Sequence, residues 1–440
     1  ITDIENTYTA KIDYADITAE TISADAGSNS NIVTVAGGIA AASKGSGVGS
    51  VSWNDVVNTA NVDIFNSTVN AQSTTAKANN TAQIVSVGGQ ISGAGKAAVG
   101  ATLSYVGLDN STEVNIKNTA FEKRDEAEAD DTSVTAEATN RSDSYNIGAG
   151  VSAAGTASVS GTVVVTQTHG TAGAVMDNVT INNAKAVTAK ALDDTDILSV
   201  IGSINASGKV AAGAGVAYTE IGDVSTDTEN GQFVRAEINN SEINSADAES
   251  TVSANAEDTA RVYNIAIGVG GAGNVAVQGA SATTLINKET SAGINSTNID
   301  AGHEGSTKAN VTVDAQNSSK ITSSADVAAA AGSGAGVGAG IAVNRIIQQT
   351  NAAVNGGTMN VNNLTVNANA TPQITNIGVG VGVAGSGAGV TGSVAVNMIE
   401  NNVTARIGSG ATIVADGTVG VVATSDEQIA NYAGQASVAG

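Results

Sequence analysis

Small and apolar residues recur along this chain in one pattern: an apolar run, a turn of small residues, and a second apolar run. The Val and Thr content of the chain favours extended backbone, which is typical of β-strands. Copies of the pattern begin at Ile32, Ile84, Tyr145, Ile197, Tyr263, Val327, Ile374 and Gln428. Internal repetition of this kind predicts a stacked architecture in which each copy packs on its neighbours.

The copies can be aligned by one position in the second apolar run, and the spacing of that position varies between 52 and 65 residues. The aligned residues are Val51, Leu103, Val163, Val216, Ser281, Ile341 and Val394. We therefore expect an all-β fold, an elongated parallel β-helix (β-solenoid) that runs continuously through residues 1–440. Its approximate repeats are 32–83, 84–144, 145–196, 197–262, 263–320, 321–373 and 374–427, with a partial repeat at 428–440.

The size of one coil follows less directly from the pattern. A repeat of about 57 residues divides into three coils of roughly 19, so some 23 coils would give a rod roughly 110 Å long. Two longer coils per repeat are the alternative. A third interpretation makes the Gly-Ala-Val runs antiparallel hairpins around turns such as Ser43 to Gly47 or Gly95 to Lys96.

The second half of each repeat also alternates, as in the segments from Ser111, Thr171 and Val403, which predicts further strands. Length variation falls in charged segments such as 121–144 and 226–251, which we expect to be surface loops. Asn residues, for example Asn182 and Asn183, suit corners because Asn tolerates the left-handed conformation and its amides stack in ladders.

Composition supports a thin, extended fold. Aromatic residues make up 2% of the chain, which contains 52 Gly and one Pro, so any core must be narrow. The net charge of -23 argues against nucleic acid as a partner. There is no Cys, which excludes disulfides and Cys-ligated metal sites. No apolar run reaches the roughly 18 residues of a membrane helix. The chain opens at Ile1 without a leader, so we expect an internal segment of a larger precursor.

Residues that could carry chemistry are few, and we expect no catalytic, cofactor-binding or metal-binding site. His169 and His303 each lie beside Gly in what we interpret as polar turns. Trp53 occupies the position of Tyr105, Val165 and Tyr218 in other repeats, which favours packing on a strand face. The nearest carboxylate cluster, Asp193, Asp194 and Asp196, is interpreted as a loop. An acidic loop is the candidate surface for interaction: Asp125, Glu126, Glu128, Asp130 and Asp131.

Two repeated segments are VAGGIAA…GVGSVSW and IGVGVGVAGSGAGVTGSVAVN, each followed by a tail rich in Thr, Ala and Asn. They resemble the passenger repeats of large filamentous adhesins secreted by the type V route, in particular the leukotoxin-like group. The resemblance covers nearly the whole chain from Asn31. It implies a filamentous virulence protein on the bacterial cell surface, anchored at the outer membrane after passage through a translocator, that attaches to a host-cell or bacterial receptor.

Three functions from different classes are therefore considered. The first is the shaft of such an adhesin, without enzymatic activity. The second is an extracellular structural filament or matrix protein that self-associates end to end through open strand edges. The third is a β-helix enzyme that degrades glycans, which would need convergent carboxylates and aromatic platforms.

Overall fold

A computed structural model describes residues 1–123, 131–223, 232–245, 250–301 and 308–440. Every regular element in these residues is a β-strand, and every pairing between strands is parallel. The chain winds through eight coils, and each coil has a first long side, a short base strand and a second long side. The architecture is therefore a parallel β-solenoid, as the repeat pattern predicts.

The strands are numbered along the chain. The first side of the eight coils is formed by β1 (Thr2–Asp13), β4 (Gly45–Phe65), β7 (Ala97–Lys117), β10 (Ala157–Asp177), β12 (Val210–Ile221) with β13 (Gln232–Asn239), β16 (Val275–Asn295), β19 (Gly336–Asn355) and β23 (Gly389–Ile407). The short base strands are β2 (Asp16–Thr18), β5 (Thr68–Asn70), β8 (Ala120–Glu122), β14 (Glu242–Ser245), β17 (Asn298–Ala301), β20 (Thr358–Val361) and β24 (Thr412–Ala415).

The second side is formed by β3 (Thr21–Ala42), β6 (Ser73–Ala94), β9 (Thr132–Ala154), β11 (Thr180–Ser207), β15 (Thr251–Ala272), β18 (Asn310–Ala331), β21 (Asn363–Ala370) with β22 (Gln373–Ala384), and β25 (Val419–Ser425) with β26 (Gln428–Ala439). In the fourth coil, β11 begins at the base and continues along the second side, so it replaces a separate base strand. The single proline, Pro372, lies in the gap between β21 and β22, where it interrupts no ladder hydrogen bond.

The aligned repeat positions stack in register. Val51 pairs with Leu103, Leu103 with Val163, and the column continues through Val216, Ser281, Ile341 and Val394. One repeat therefore makes one coil, and the expected division into three coils of roughly 19 residues is wrong. Eight coils at about 4.8 Å each span about 38 Å along the axis, not 110 Å.

The long sides are possible because the two sheets come very close together at their far end, which we call the blade. At Gly148 an added Cβ would lie 2.7 Å from Val164 Cγ2, and at Gly340 it would lie 2.5 Å from the Ala325 carbonyl oxygen. Small inward residues thus let two flat sheets face each other without further corners. The blade comprises residues 32–53, 84–105, 144–165, 197–218, 262–283, 321–343, 374–396 and 429–440.

The hairpin interpretation of the Gly-Ala-Val runs is wrong, because the two strands that flank each turn do not pair with each other. Across the turn at Gly95 and Lys96, β6 and β7 belong to opposite sheets, and each is bonded to strands of neighbouring coils. Gly95 N donates to Ala42 O at 3.1 Å, and Lys96 N donates to Lys44 O at 3.0 Å. The turns themselves therefore stack along the solenoid axis.

Asparagine forms the opposite corner, next to the base strands. Asn66, Asn118, Asn178 and Asn240 have φ between 50° and 53°. Asn178 Nδ2 donates to Asn118 Oδ1 at 2.8 Å, and Asn118 Nδ2 donates to Asn66 Oδ1 at 3.1 Å. Asn183 is also left-handed, with φ 56°, so the predicted use of asparagine at corners is confirmed.

The rest of each coil, which we call the base, holds the main apolar core. Inward Val, Ile and Ala residues from both long sides surround buried Phe121 and Ile181 of β8 and β11. Phe121 is therefore a core residue, and much of the predicted loop 121–144 is strand β9. The predicted loop 226–251 likewise contains β13 and β14. These two expectations are wrong because charged residues occupy the outward positions of strands with alternating burial.

A column of mostly polar side chains, in which amides predominate, crosses the interior of the base, and we call it the amide seam. Its members face each other from the two sheets: Asn6, Asn58, Asn110, Gly170, Gln232, Lys288, Gln348 and Asn401 on the first side, and Ser28, Asn80, Asn140, Asp193, Asp258, Asn317, Ala370 and Ser425 on the second. Asn58 Nδ2 donates to Asn110 Oδ1 at 3.1 Å, and Asn110 Nδ2 donates to Ser142 Oγ at 2.7 Å.

Candidate functional site

The acidic loop expected to mediate surface contacts lies mostly outside the described residues. Asp125, Glu126, Glu128 and Asp130 are in the segment 124–130, which follows β8. Asp131 precedes β9, and its Oδ2 lies 3.3 Å from Lys185 Nζ. Because the Lys185 side chain is 57% exposed, this ion pair is a surface contact that contributes little to stability.

The structure separates the three carboxylates of the cluster Asp193, Asp194 and Asp196. They lie within strand β11 and not in the predicted loop, and the alternation of the strand turns Asp193 inward and the other two outward. This arrangement makes no convergent acid pair of the kind that a glycoside hydrolase uses. It creates two different environments, one on the outer surface and one in the interior.

The outer environment is a shallow depression on the second side, which we call the tyrosine depression. It has a volume of about 370 Å³ and is lined by Tyr145, Asp196, Ile197, Leu198, Arg261 and Tyr263. Arg261 Nη1 donates to Asp194 Oδ1 at 3.2 Å and to Asp196 Oδ1 at 3.3 Å. Burial raises the pKa of Asp196. Two phenol rings beside a paired guanidinium provide an amphipathic surface patch on which a planar or sugar-like group could rest.

The inner environment is a cluster of charged groups in the amide seam. The side chains of Lys288, Asp193 and Asp258 are all fully buried. Lys288 Nζ contacts Asp258 Oδ1 directly and lies 3.6 Å from Asp193 Oδ2. Asp193 Oδ1 accepts a hydrogen bond from Asn140 Nδ2 at 2.7 Å. We call these three charged residues the buried triad.

The surroundings of the triad are polar and closely packed around Asp193. Asp193 Oδ2 accepts hydrogen bonds from Thr195 Oγ1 at 3.0 Å and from Gln232 Nε2. The first-side position in this coil is Gly170, where an added Cβ would lie 2.7 Å from Asn140 Nδ2 and 3.2 Å from Asp193 Oδ1. Asp258 Oδ2 has no hydrogen-bond partner within the described part of the chain. The interior is thus shaped around Asp193 and leaves one oxygen of Asp258 open.

Burial dominates the electrostatics of the two triad carboxyls. Desolvation raises the pKa of Asp258 to about 7, and the opposing attraction of Lys288 is the smaller effect. Desolvation also raises the pKa of Asp193, against the ammonium of Lys288 and the hydrogen bonds from Thr195 and Asn140. Each carboxyl therefore keeps its proton to a higher pH than an exposed Asp does.

Lys288 was not among the residues singled out from the sequence. A lone Lys in the run LINKETSAG carries no motif, and its inward position becomes visible only from the register of β13, β16 and β19. The other candidates are placed as follows. His169 lies half-buried within β10 and not in a turn. Burial raises the pKa of Asp109, its neighbour in the ladder, and the opposing effect of His169 is smaller. His303 lies outside the described residues.

Trp53 lies on the outer face of the blade, in register with Tyr105, Val165 and Tyr218 as aligned from the sequence. Its ring stacks on that of Tyr105 with centroids 4.0 Å apart and an interplanar angle of 21°. This pair continues an outer surface made largely of Val, Ile, Ala and Gly. Exposed examples are Val51 (62%), Val99 (52%), Ile91 (51%) and Ile204 (50%).

Charged residues are almost absent from this surface. The blade contains more than a third of the chain, yet its only charged residues are Lys44, Lys96, Lys209 and Asp326. The three lysines lie at the stacked turns. From seven strands on the first face, eight on the second and about nine residues along each strand, each face covers about 1,000 Å². Apolar patches on monomeric proteins are commonly about 300–600 Å², so both blade faces are unusually large.

Comparison with known proteins gives no relative: no family model, no curated protein and no solved structure matches this chain. Among the described residues, no helix is long and apolar enough to cross a membrane.

Proposed function

We propose that this chain is a segment of the shaft of a filamentous adhesin on the bacterial cell surface, where it holds a receptor-binding region away from the cell. The adhesin would reach the surface through an outer-membrane translocator and attach the cell to a host or bacterial receptor. In this role the chain needs mechanical continuity and needs no turnover. The resemblance of its Gly-Ala-Val repeats to those of leukotoxin-like filamentous adhesins supports the proposal.

The observation that carries the proposal is the parallel pairing that links each of the eight coils to the next. Each coil pairs along both long sides with its neighbours, so every repeat adds about 4.8 Å of length without changing the cross-section. Repeats of different length preserve this register: β12 and β13, which flank residues 224–231, both pair in parallel with β10 and with β16. A sequence built this way sets the length of a shaft by its number of repeats.

Two experiments test the shaft. Antibodies raised against the purified chain should label intact cells of the source organism without permeabilisation, and labelling that requires permeabilisation would contradict a surface location. Tandem fusions of the chain should lengthen by about 38 Å per copy in negative-stain images. Fusions that collapse into compact particles would contradict a shaft.

A structural filament or matrix protein is the second candidate function, and the apolar blade favours it. A face of about 1,000 Å² exceeds the roughly 800 Å² that each partner buries in a standard protein interface. Since the blade has two such faces, a second copy on one face leaves the other free, and assembly by the blade is open-ended. This is lateral association, in contrast to the end-to-end pairing expected from the sequence.

Negative-stain images across a concentration series separate these functions. Particles of constant size support a shaft that acts as a single rod. Particles that broaden with concentration support lateral assembly by the blade, and particles that lengthen support end-to-end assembly. The same series in the presence of lipid vesicles reports whether the blade instead binds acyl chains, since vesicles would then carry the protein through flotation.

A further inference from the structure

We propose that Lys288 and Asp258 are joined by a spontaneous isopeptide bond, formed inside the solenoid with Asp193 as the proton carrier. The inference concerns covalent chemistry within the chain, and it stands whether or not the proposed function is correct. The bond would tie β15 of the fifth coil to β16 of the sixth, across the two facing sheets.

The geometry places the two reacting groups in contact. The lysine Nζ contacts a carboxyl oxygen of Asp258, and both side chains are completely shielded from solvent. Two groups held in this way react as if at very high local concentration, because no translational freedom remains to be lost. The second carboxyl oxygen of Asp258, which has no partner among the described residues, is available to leave.

The third residue of the triad occupies the place of a general acid and base. Asp193 stacks directly beneath Asp258 in the register of the second side, and its Oδ2 lies 3.6 Å from Lys288 Nζ. Asn140, Thr195 and Gln232 hold this carboxyl in position. Its raised pKa suits a group that must accept a proton and then return one.

The bond-forming step balances without any further reagent. The ammonium of Lys288 gives one proton to the carboxylate of Asp193, and the free amine attacks Cγ of the uncharged carboxyl of Asp258. Asp193 returns its proton to the hydroxyl of the tetrahedral intermediate, which leaves as water, and Asp193 then takes a second proton from the nitrogen. The third nitrogen proton stays on the amide, and Asp193 ends protonated.

The reaction also relieves an unfavourable arrangement. A buried ammonium and a buried carboxylate each lose hydration, and the attraction between them repays this loss only in part. The condensation replaces charged groups of the triad with a neutral amide and a protonated acid. The exposed ion pair of Lys308 with Asp416, at 2.7 Å, lacks this drive because its carboxylate is 63% exposed.

Mass spectrometry of the purified chain tests the bond. The intact mass should be lower than the sequence mass by one water molecule. Trypsin should fail to cut after Lys288, so that the segment 262–308 appears joined to the segment 236–261, which contains Asp258. Lys308 serves as the matched control and should be cleaved normally. An intact mass equal to the sequence mass, with cleavage after Lys288, would overturn the proposal.

Variants separate the roles within the triad. Asp258→Ala should abolish both the mass loss and the branched peptide. Asp193→Asn keeps the shape of the side chain but cannot carry the proton, and we expect the linked fraction to fall at least tenfold at equal times after purification. Unchanged linkage in Asp193→Asn would refute its role, and a branch to the segment 191–209, which contains Asp193, would refute the assignment of Asp258. Since the wild-type peptide map needs no substitution, a variant that fails to fold leaves the test intact.

Discussion

The blade and the base are built on the same parallel ladders but distribute their side chains in opposite ways. In the base, Val, Ile and Ala point inward and charged residues point outward. Along much of the blade, Ser, Thr and Gly point inward, as in the 2.8 Å contact of Ser52 Oγ with Ser86 Oγ, while Val and Ile point outward. The contrast shows that the backbone ladder is sufficient to maintain a coil. The outward side chains then determine which surfaces are apolar enough to bind a partner.

Loss of packing in the base should have the largest effect on stability. Phe121→Ala empties the core of the base and should cost about 3–5 kcal/mol of unfolding free energy, measured as a shift of the midpoint in guanidinium. Leu103→Ala, on the outer face of the blade, is the control and should cost about 1 kcal/mol or less. Equal losses at the two positions would remove the distinction between the regions.

Removal of the triad cation should make stability depend on pH. Lys288→Met prevents the bond and leaves Asp193 and Asp258 buried without a counter-charge. Because the pKa of Asp258 in the folded chain, about 7, is above its ordinary value of 3.8, the folded state holds its proton more tightly. Stability should be greatest at low pH and decline as pH rises from 3.8 through and beyond about 7, because Lys288 no longer lowers the pKa of Asp258.

Thermal unfolding of this variant at a series of pH values provides the measurement. Lys190→Met, which removes an exposed partner of Glu137, is the control and should show no additional decline over the same interval. A flat profile for Lys288→Met would show that water reaches the triad and would contradict its burial.

A change inside the blade should have an intermediate effect. Gly148→Val places methyl groups where Val164 and Thr162 already lie within 3 Å of a Cβ, and such overpacking typically costs about 1–3 kcal/mol. Gly161→Val is the matched control, because nothing lies within 4 Å of a Cβ there. Similar unfolding midpoints for the two variants would mean that the sheets of the blade can separate freely.

Charge on the outer face of the blade should change stability least, by about 0.5 kcal/mol or less, and association most. If lateral assembly occurs, Leu103→Lys with Val216→Lys on the first face should limit it to pairs. Adding Ile91→Lys and Ile204→Lys on the second face should leave monomers. Sedimentation velocity measures both, with Thr81→Lys and Ser318→Lys on the outer base as control. Unchanged assembly in the four-site variant would exclude the blade as the contact.

The sequence predicted the register more accurately than the size of the coil. The column from Val51 to Val394 was correct because large residues on a flat, repetitive face mark equivalent positions. The coil size was wrong because the repeat was divided into rungs of the size familiar from other β-helices. In the structure the small-residue turn is the far corner of one long coil, and a left-handed corner next to the base, formed by Asn66, Asn118, Asn178 and Asn240 in four coils, recurs at the true period.

The interior site was harder to predict for a physical reason. Strict alternation in β11 was sufficient to separate Asp193 from Asp194 and Asp196, although the cluster was interpreted as a loop. The meeting of Asp193, Asp258 and Lys288 depends on stacking between coils, over separations of 65 and 30 residues. No local motif records a contact that arises from the register of distant strands.

The sequence separation between paired strands also has a consequence for folding. Every ladder joins residues 52 to 65 positions apart, so no strand pair can form locally, and each requires closure of a large loop. A coil already in place removes most of that difficulty, because it offers the next coil a complete edge on which to align. We therefore expect folding to advance one coil at a time from a slow first nucleus, and a chain delivered gradually from one end would fold in the order in which it emerges.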